Sequence, residues 1–162
     1  MEIEGIDRLV IGVKDMDRSL EFFNEVLGVR FTEVVGAAPE IAGCRLAISF
    51  DKRLELISPV ATPKQETNPP DPLELKRRLD ENGEAVLYAL VYKVKDLQAA
   101  VVNAAEHGVR VVGDKLEFAR DEQFGLSNLE EVALAEADTL GIKMAFVKYD
   151  KRNGSKKGVS GN

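Results

Sequence analysis

The amino-acid sequence predicts an α+β fold of two tandem β-α-β-β-β modules, whose strands curl into one open, cup-shaped mixed sheet with helices outside. Three observations carry this expectation. An apolar strand, a Lys-Asp start signal, an amphipathic helix, a glycine stop and a new strand follow one another twice along the 162 residues. The wording recurs too: "VKDM" at 13 to 16 returns as "VKDL" at 94 to 97, and "GVRF" at 28 to 31 as "GVRV" at 108 to 111, offsets of 81 and 80 residues. Between the copies lies "ATPKQETNPPDP", which holds four of the six prolines and reads as a connection. One such unit is too small to bury its own sheet, so the two must pack side by side.

In the first copy, "IDRLVIGV" from Ile6 alternates, so that Leu9, Ile11 and Val13 share one face while Arg8, Val10 and Gly12 share the other. One face is core and the other carries a charge. "KDMDRSLEFFNEVLG" follows, with Asp15 or Asp17 placed to cap a helix whose Leu20, Phe23 and Leu27 recur at helical spacing before Gly28 ends it. "VRFTEVV", "CRLAISF" and "RLELISPV" are β-prone stretches separated by turn signals, and they complete a first module over 1–60. Residues 61–84 read as a linker with a short helix, "PLELKRRLDENG", stopped at Asn82-Gly83. The second module, 85–149, opens with "VLYALVYKV", continues through a helix ending near Gly108, and closes with "EVALAEADTLGIKMAFVKYD", two strands about a tight turn at Asp138 to Gly141. Within it "FARDEQFGLSN", carrying Asp121 and Glu122, reads as a polar loop, and 150–162 as a basic, solvated tail.

The composition, 44% apolar, is that of a globular domain. No run approaches the roughly 18 apolar residues of a membrane span, and the acidic start has no apolar segment of the signal-peptide kind, so a cytoplasmic protein is expected. A net charge of −6 argues against a nucleic-acid surface. One cysteine and one histidine exclude a zinc site of thiolates and imidazoles. Cys44 reads as a small buried apolar residue, and His107, just before Gly108, as a cation suited to a helix C-terminus. No phosphate-cradling glycine loop is present. Tyr92 shares the helix-packing face with Leu90 and Val94.

"LELISP", at 54 to 59, poses the functional question. Its carboxylate, Glu55, sits between Leu54 and Leu56 and needs a partner, a metal ion or water on its own face of the sheet. Over residues 5 to 149 the chain resembles the vicinal oxygen chelate superfamily, which includes glyoxalase I, methylmalonyl-CoA epimerase, extradiol dioxygenases, fosfomycin-resistance transferases and bleomycin-resistance proteins. The resemblance is carried by "IDRLVIGVKDMDRSLEFFNEVLGVRF", "LELISP", "NGE", "KVKDLQAAVVNAAEHGVRVV" and "ADTLGIKMAFV". In metal-dependent members it implies four cup-facing ligand positions, typically His, Glu, His and Glu. Here those positions fall on Arg8, Glu55, Ala89 (or Tyr88 in the other register) and Ala145. Divalent ions need several O or N donors within about 2.0 to 2.6 Å, and a guanidinium at one vertex repels them. No metal and no other cofactor is therefore expected.

Two readings of the remaining pair stay open. Arg8 replaces the cation and pairs with Glu55 as structure, or it anchors an anionic or carbonyl oxygen of a ligand while Glu55 orients that ligand or acts as a general base. Lys93 and Lys143, by strand alternation on the faces of Ala89 and Ala145, would border the cup beside Tyr88 and favour an acidic or enolate-like ligand, unless they are rim residues with solvated heads. The leading expectation is a small-molecule cup in a homodimer, serving either as a binding protein or as a metal-independent isomerase, epimerase or lyase. The rivals are a metal-dependent lyase, epimerase or dioxygenase with unconventional ligands, and a resistance protein that sequesters a cationic drug.

Overall fold

The computed structural model describes residues 1–60 and 71–151, the side chains at 120 and 121 excepted; most of the proline-rich connection and the basic tail fall outside the described residues. The elements are β1 (Ile3–Val13), α1 (Met16–Leu27), β2 (Thr32–Glu33), α2 (Ala37–Ala42), β3 (Cys44–Ser49), β4 (Leu54–Pro59), α3 (Pro72–Asn82), β5 (Ala85–Val94), α4 (Leu97–Glu106), β6 (Val111–Asp121), β7 (Leu126–Leu134) and β8 (Met144–Lys151), with a 3-10 turn at Glu136–Asp138.

All eight strands form one curled sheet in the order β2-β3-β4-β1-β5-β8-β7-β6. That order is a mirror about the β1/β5 seam, where the two strands pair antiparallel from Ile3 opposite Val94 to Val13 opposite Ala85. On either side the outer neighbour is parallel, β4 beside β1 and β8 beside β5. The duplication read from the sequence is thus a pseudo-two-fold in space.

Helix signals were placed correctly because they rest on local chemistry. Asp15 caps α1 by accepting from Arg18 N, and Asp96 caps α4 by accepting from Ala99 N, the same device in both copies. Gly28 ends α1 at φ 65°, a left-handed turn that costs glycine little. Helix α1 covers the outer face of the first half-sheet through Met16, Leu20 and Phe23 against Val13, Ala47 and Leu56. Helix α4 does the same for the second through Leu97, Ala100 and Ala104 against Val94, Val132 and Phe146.

Three features depart from the sequence reading. Only Thr32–Glu33 of "VRFTEVV" is strand, and "AAPEIA" forms α2, a helix too short to show periodicity. "FARDEQFGLSN" is no loop but the tip of a hairpin, with β6 paired to β7 through to Asp121 opposite Leu126. Helix α3 is not a linker element lying apart: Leu75 and Leu79 are fully buried in the core on the concave side of the sheet, and Ala42 of α2 joins them. Helices therefore lie inside the cup as well as outside it.

Candidate functional site

The concave face encloses a cavity of about 360 Å³. Its walls are mostly apolar, with Val10, Ile57 and Val91 on the central strands, Phe118 and Leu129 on the β6/β7 hairpin, and Ala38 and Ile41 on α2. Arg8, Glu55, Ala89 and Ala145 all line it. Register explains why. Val10 lies opposite Glu55 and Val91 opposite Ala145, so the pseudo-two-fold superposes Val10 on Val91, Arg8 on Ala89 and Glu55 on Ala145. Of the two registers open for the second module, this one selects Ala89. One half of the duplicated site carries a charged pair and the other half carries two methyls.

The charged half is larger than a pair. Arg8 donates from Nε to Glu55 Oε2, from Nη1 to Asp7 Oδ2 at 2.8 Å and from Nη2 to Glu131 Oε2 at 2.8 Å. Tyr149 Oη donates to the other Asp7 oxygen at 2.6 Å. One guanidinium thus holds three carboxylates, in geometry that suits its planar fork. Asp7 reaches the site because β1 is irregular between Ile6 and Arg8, and such a bulge turns consecutive side chains to one side. Burial pushes the Glu55 carboxyl above the usual range; Arg8 opposes this, while Glu131 and Asp7 reinforce it. Burial pulls Arg8 the other way, but the charges of Glu131, Glu55 and Asp7 outweigh it and hold the guanidinium protonated.

The other polar end of the cavity is marked by Tyr88, Lys143 and Glu136. Lys143 Nζ lies 2.6 Å from Glu74 and 3.6 Å from Glu136, and 5.2 Å from the centre of the Tyr88 ring. Arg78 joins Glu74 at 2.8 Å and Glu136 at 2.5 Å, tying α3 to the second module. Tyr88 Oη accepts from Asp71 N at 3.3 Å. Lys93 is placed elsewhere: it does not line the cavity, and its ammonium sits 4.3 Å from the Tyr149 ring centre and 3.4 Å from Glu4. His107 closes α4, with Nδ1 2.8 Å from Asn103 O. Cys44 is buried and its thiol is pushed up to about 12, mainly by burial, so it is inert at neutral pH. Glu122 is exposed in the hairpin turn, and the side chain of Asp121 lies outside the described residues.

Two site residues escaped the sequence reading. Asp7 was hidden by the bulge, which breaks the alternation used to assign faces. Glu131 was one of two adjacent glutamates on a strand of unknown register; its two-residue spacing from Ala133, which pairs with Ala145, was the available signal.

The resemblance read from the sequence implies metal-ligand positions at Arg8, Glu55, Ala89 and Ala145. The donor set here does not fit a divalent ion. The Glu55 carboxylate is engaged by a guanidinium, two ligand positions are alanines, and among the described residues no three His, Cys, Asp or Glu side chains group to hold a metal.

Two β-α-β-β-β modules thus share one curled sheet around an apolar cup with a polar floor. The chain belongs to the Glyoxalase/Bleomycin resistance protein/Dioxygenase superfamily, whose family model matches residues 5–116. Among solved structures it is similar to methylmalonyl-CoA epimerase from Mycobacterium tuberculosis, with 22% identity and a TM-score of 0.65, covering 90% of this chain and 88% of that one. A Streptomyces coelicolor methylmalonyl-CoA epimerase variant in complex with 2-nitronate-propionyl-CoA matches at 21% identity and TM-score 0.65, over 97% and 100% of the two chains. A hypothetical protein from Bacillus halodurans matches at 16% identity and TM-score 0.68, over 93% and 97%. Among curated proteins none matches the chain. No helix among the described residues is long and apolar enough to cross a membrane.

Proposed function

We propose that the protein binds a small, predominantly apolar organic molecule in its cup, with the Arg8–Glu55–Glu131 cluster as the polar recognition point. The observation that carries this is the cavity itself: apolar walls with a few convergent, buried polar groups and one perturbed carboxyl at the floor. The likeness to methylmalonyl-CoA epimerases, at 17–22% identity, supports the fold and leaves the ligand to be argued from the site.

An acidic ligand loses its physical basis. Arg8 is engaged by three carboxylates and Lys143 by two, so neither offers an anion an uncompensated cation. A carbonyl-bearing ligand keeps its basis in Glu55, whose raised carboxyl suits proton transfer in an isomerase, epimerase or lyase of this superfamily. The excess of carboxylates favours the sequestering alternative, a resistance-type binder of cationic molecules. A cytoplasmic homodimer remains part of the proposal, and sedimentation measures the dimer.

Thermal-shift screening of small acids, carbonyl compounds and amines tests the reading, since a ligand selective for the folded state raises its melting temperature. Saturable shifts by at least one class support it; none in any class removes it. Once a ligand is found, Glu55→Gln separates the roles: a pure binder keeps its ligand, whereas an acid–base enzyme loses turnover by about a hundredfold or more.

A further inference from the structure

Strand β2 and the β6/β7 hairpin stand at opposite ends of the sheet order, yet they meet where the curl of the sheet brings its two ends round. A side-chain amide makes the join. At the tip of the hairpin, Gln123 donates from Nε2 to Glu33 O and accepts at Oε1 from Val35 N at 3.2 Å, so it holds the backbone on either side of Val34, between β2 and α2. Beside it Phe124 meets Phe50 edge to face, with ring centres 5.1 Å apart, and both rings line the cavity. Gln123 is exposed and stands outside that lining. The hairpin reaches across because it is bent at two places. Strand β6 leaves its register with β7 between Val112 and Leu116, around Gly113 at φ 70°, and β7 leaves its register with β8 between Ser127 and Glu130, around Asn128 at φ 51°. Irregularities of this kind bend a strand and increase its twist.

We infer that the β6/β7 hairpin is the entry gate of the cup, latched by Gln123 onto the backbone of Glu33 and Val35, and that a guest passes between Phe124 and Phe50 when the latch releases. This goes beyond the ligand reading above and rests on it only for there being a guest. Two features fit a gate rather than a fixed wall. The latch consists of hydrogen bonds between exposed groups, which water replaces at little net cost, whereas the β1/β5 seam is closed by a long ladder of paired strands. Segments that open are drawn from such weakly held parts of a fold. The hairpin also carries a wall of the cavity on Phe118, Leu126 and Leu129, so its movement uncovers the interior. Because Gln123 stands outside the lining, it governs how fast a guest passes and not how tightly it is held.

Gln123→Ala in the full chain tests the gate in two ways. Without any ligand, amide hydrogen exchange followed by NMR should quicken by about tenfold or more at Val35 and along the hairpin from Leu116 to Leu129, while the amides of the β1/β5 seam keep their wild-type rates and report an intact fold. With the neutral fluorescent probe N-phenyl-1-naphthylamine, stopped-flow mixing should show association and dissociation both accelerated by about tenfold or more, with the equilibrium affinity changed by less than about threefold, since a gate speeds both directions alike. Wild-type exchange rates at Val35 and the hairpin, or probe rates that do not change while the affinity falls, overturn the gate and leave a small-molecule cup intact. Failure of the probe to bind either protein counts against the small-molecule reading and removes the gate with it.

Discussion

Arg8 keeps apart three carboxylates that would otherwise repel one another inside the fold, and its removal isolates what that is worth. Arg8→Met retains the apolar stem and leaves Asp7, Glu55 and Glu131 without their cation. Breaking a buried pair by deleting one partner costs about 3 to 5 kcal/mol, because the survivors remain desolvated. The loss should depend on pH with a definite sign. Without the guanidinium the buried Glu55 carboxyl, already raised by burial, favours the proton still more in the folded state, so the stabilisation from its protonation is present below the ordinary glutamate value of about 4.3 and is lost as pH rises through the raised folded value. Urea unfolding of wild type and Arg8→Met should therefore diverge as pH increases from acid to neutral; a constant difference would show that the carboxylates are not what Arg8 compensates. Tyr149→Phe asks the same of Asp7 more gently. It removes the hydroxyl that donates to Asp7 Oδ1 at 2.6 Å, a loss of about 1 to 3 kcal/mol for a buried acceptor left short of one donor. A destabilisation below that range in the same denaturation assay would mean that water replaces the phenol.

Elements meet the cavity through one tight contact in particular. A Cβ built on Gly12 of β1 would lie 2.4 Å from Leu75 Cδ1 and 3.1 Å from Val86 Cγ2, so α3 can seat on the concave face only because residue 12 has no side chain. Gly12→Ala forces Leu75, which is fully buried, out of its position, and overpacking of this kind costs about 1 to 3 kcal/mol. The variant should melt earlier, and Leu75→Ala should cost less in the Gly12→Ala background than in the wild type, because the smaller side chain relieves the clash there; additive costs would place the strain elsewhere. The strands of the first module, the paired Asp caps and the glycine stops were legible because each is written in adjacent residues. Helix α2 and the β6/β7 hairpin were not, since six residues carry no period and the hairpin's alternation is interrupted by charge. In the site, Arg8 and Glu55 were legible through the resemblance and strand alternation, whereas Asp7 needed a bulge and Glu131 needed the register of a strand about 120 residues away in sequence.

At the scale of the whole molecule, the charged floor stitches the two modules together. Arg8 and Asp7 belong to the first, while Glu131 and Tyr149, their partners at 2.8 and 2.6 Å, belong to the second. The β1/β5 seam joins the half-sheets along nearly the full length of both strands, and Arg78 and Lys143 bind α3 to the turn after β7 through Glu136. Neither module closes its own share of the cavity, so each exposes apolar surface and unpaired charge when alone. A segment of about 60 residues buries too little of its surface to offset that. The chain should therefore unfold in one cooperative transition, with far-ultraviolet dichroism and tyrosine fluorescence, whose reporters Tyr88, Tyr92 and Tyr149 all lie in the second module, giving the same midpoint. Residues 1–60 expressed alone should lack a folded spectrum and regain one when mixed with the remainder. Two separated transitions, or a folded isolated first module, would show that the duplicated halves are stable without the cup they share.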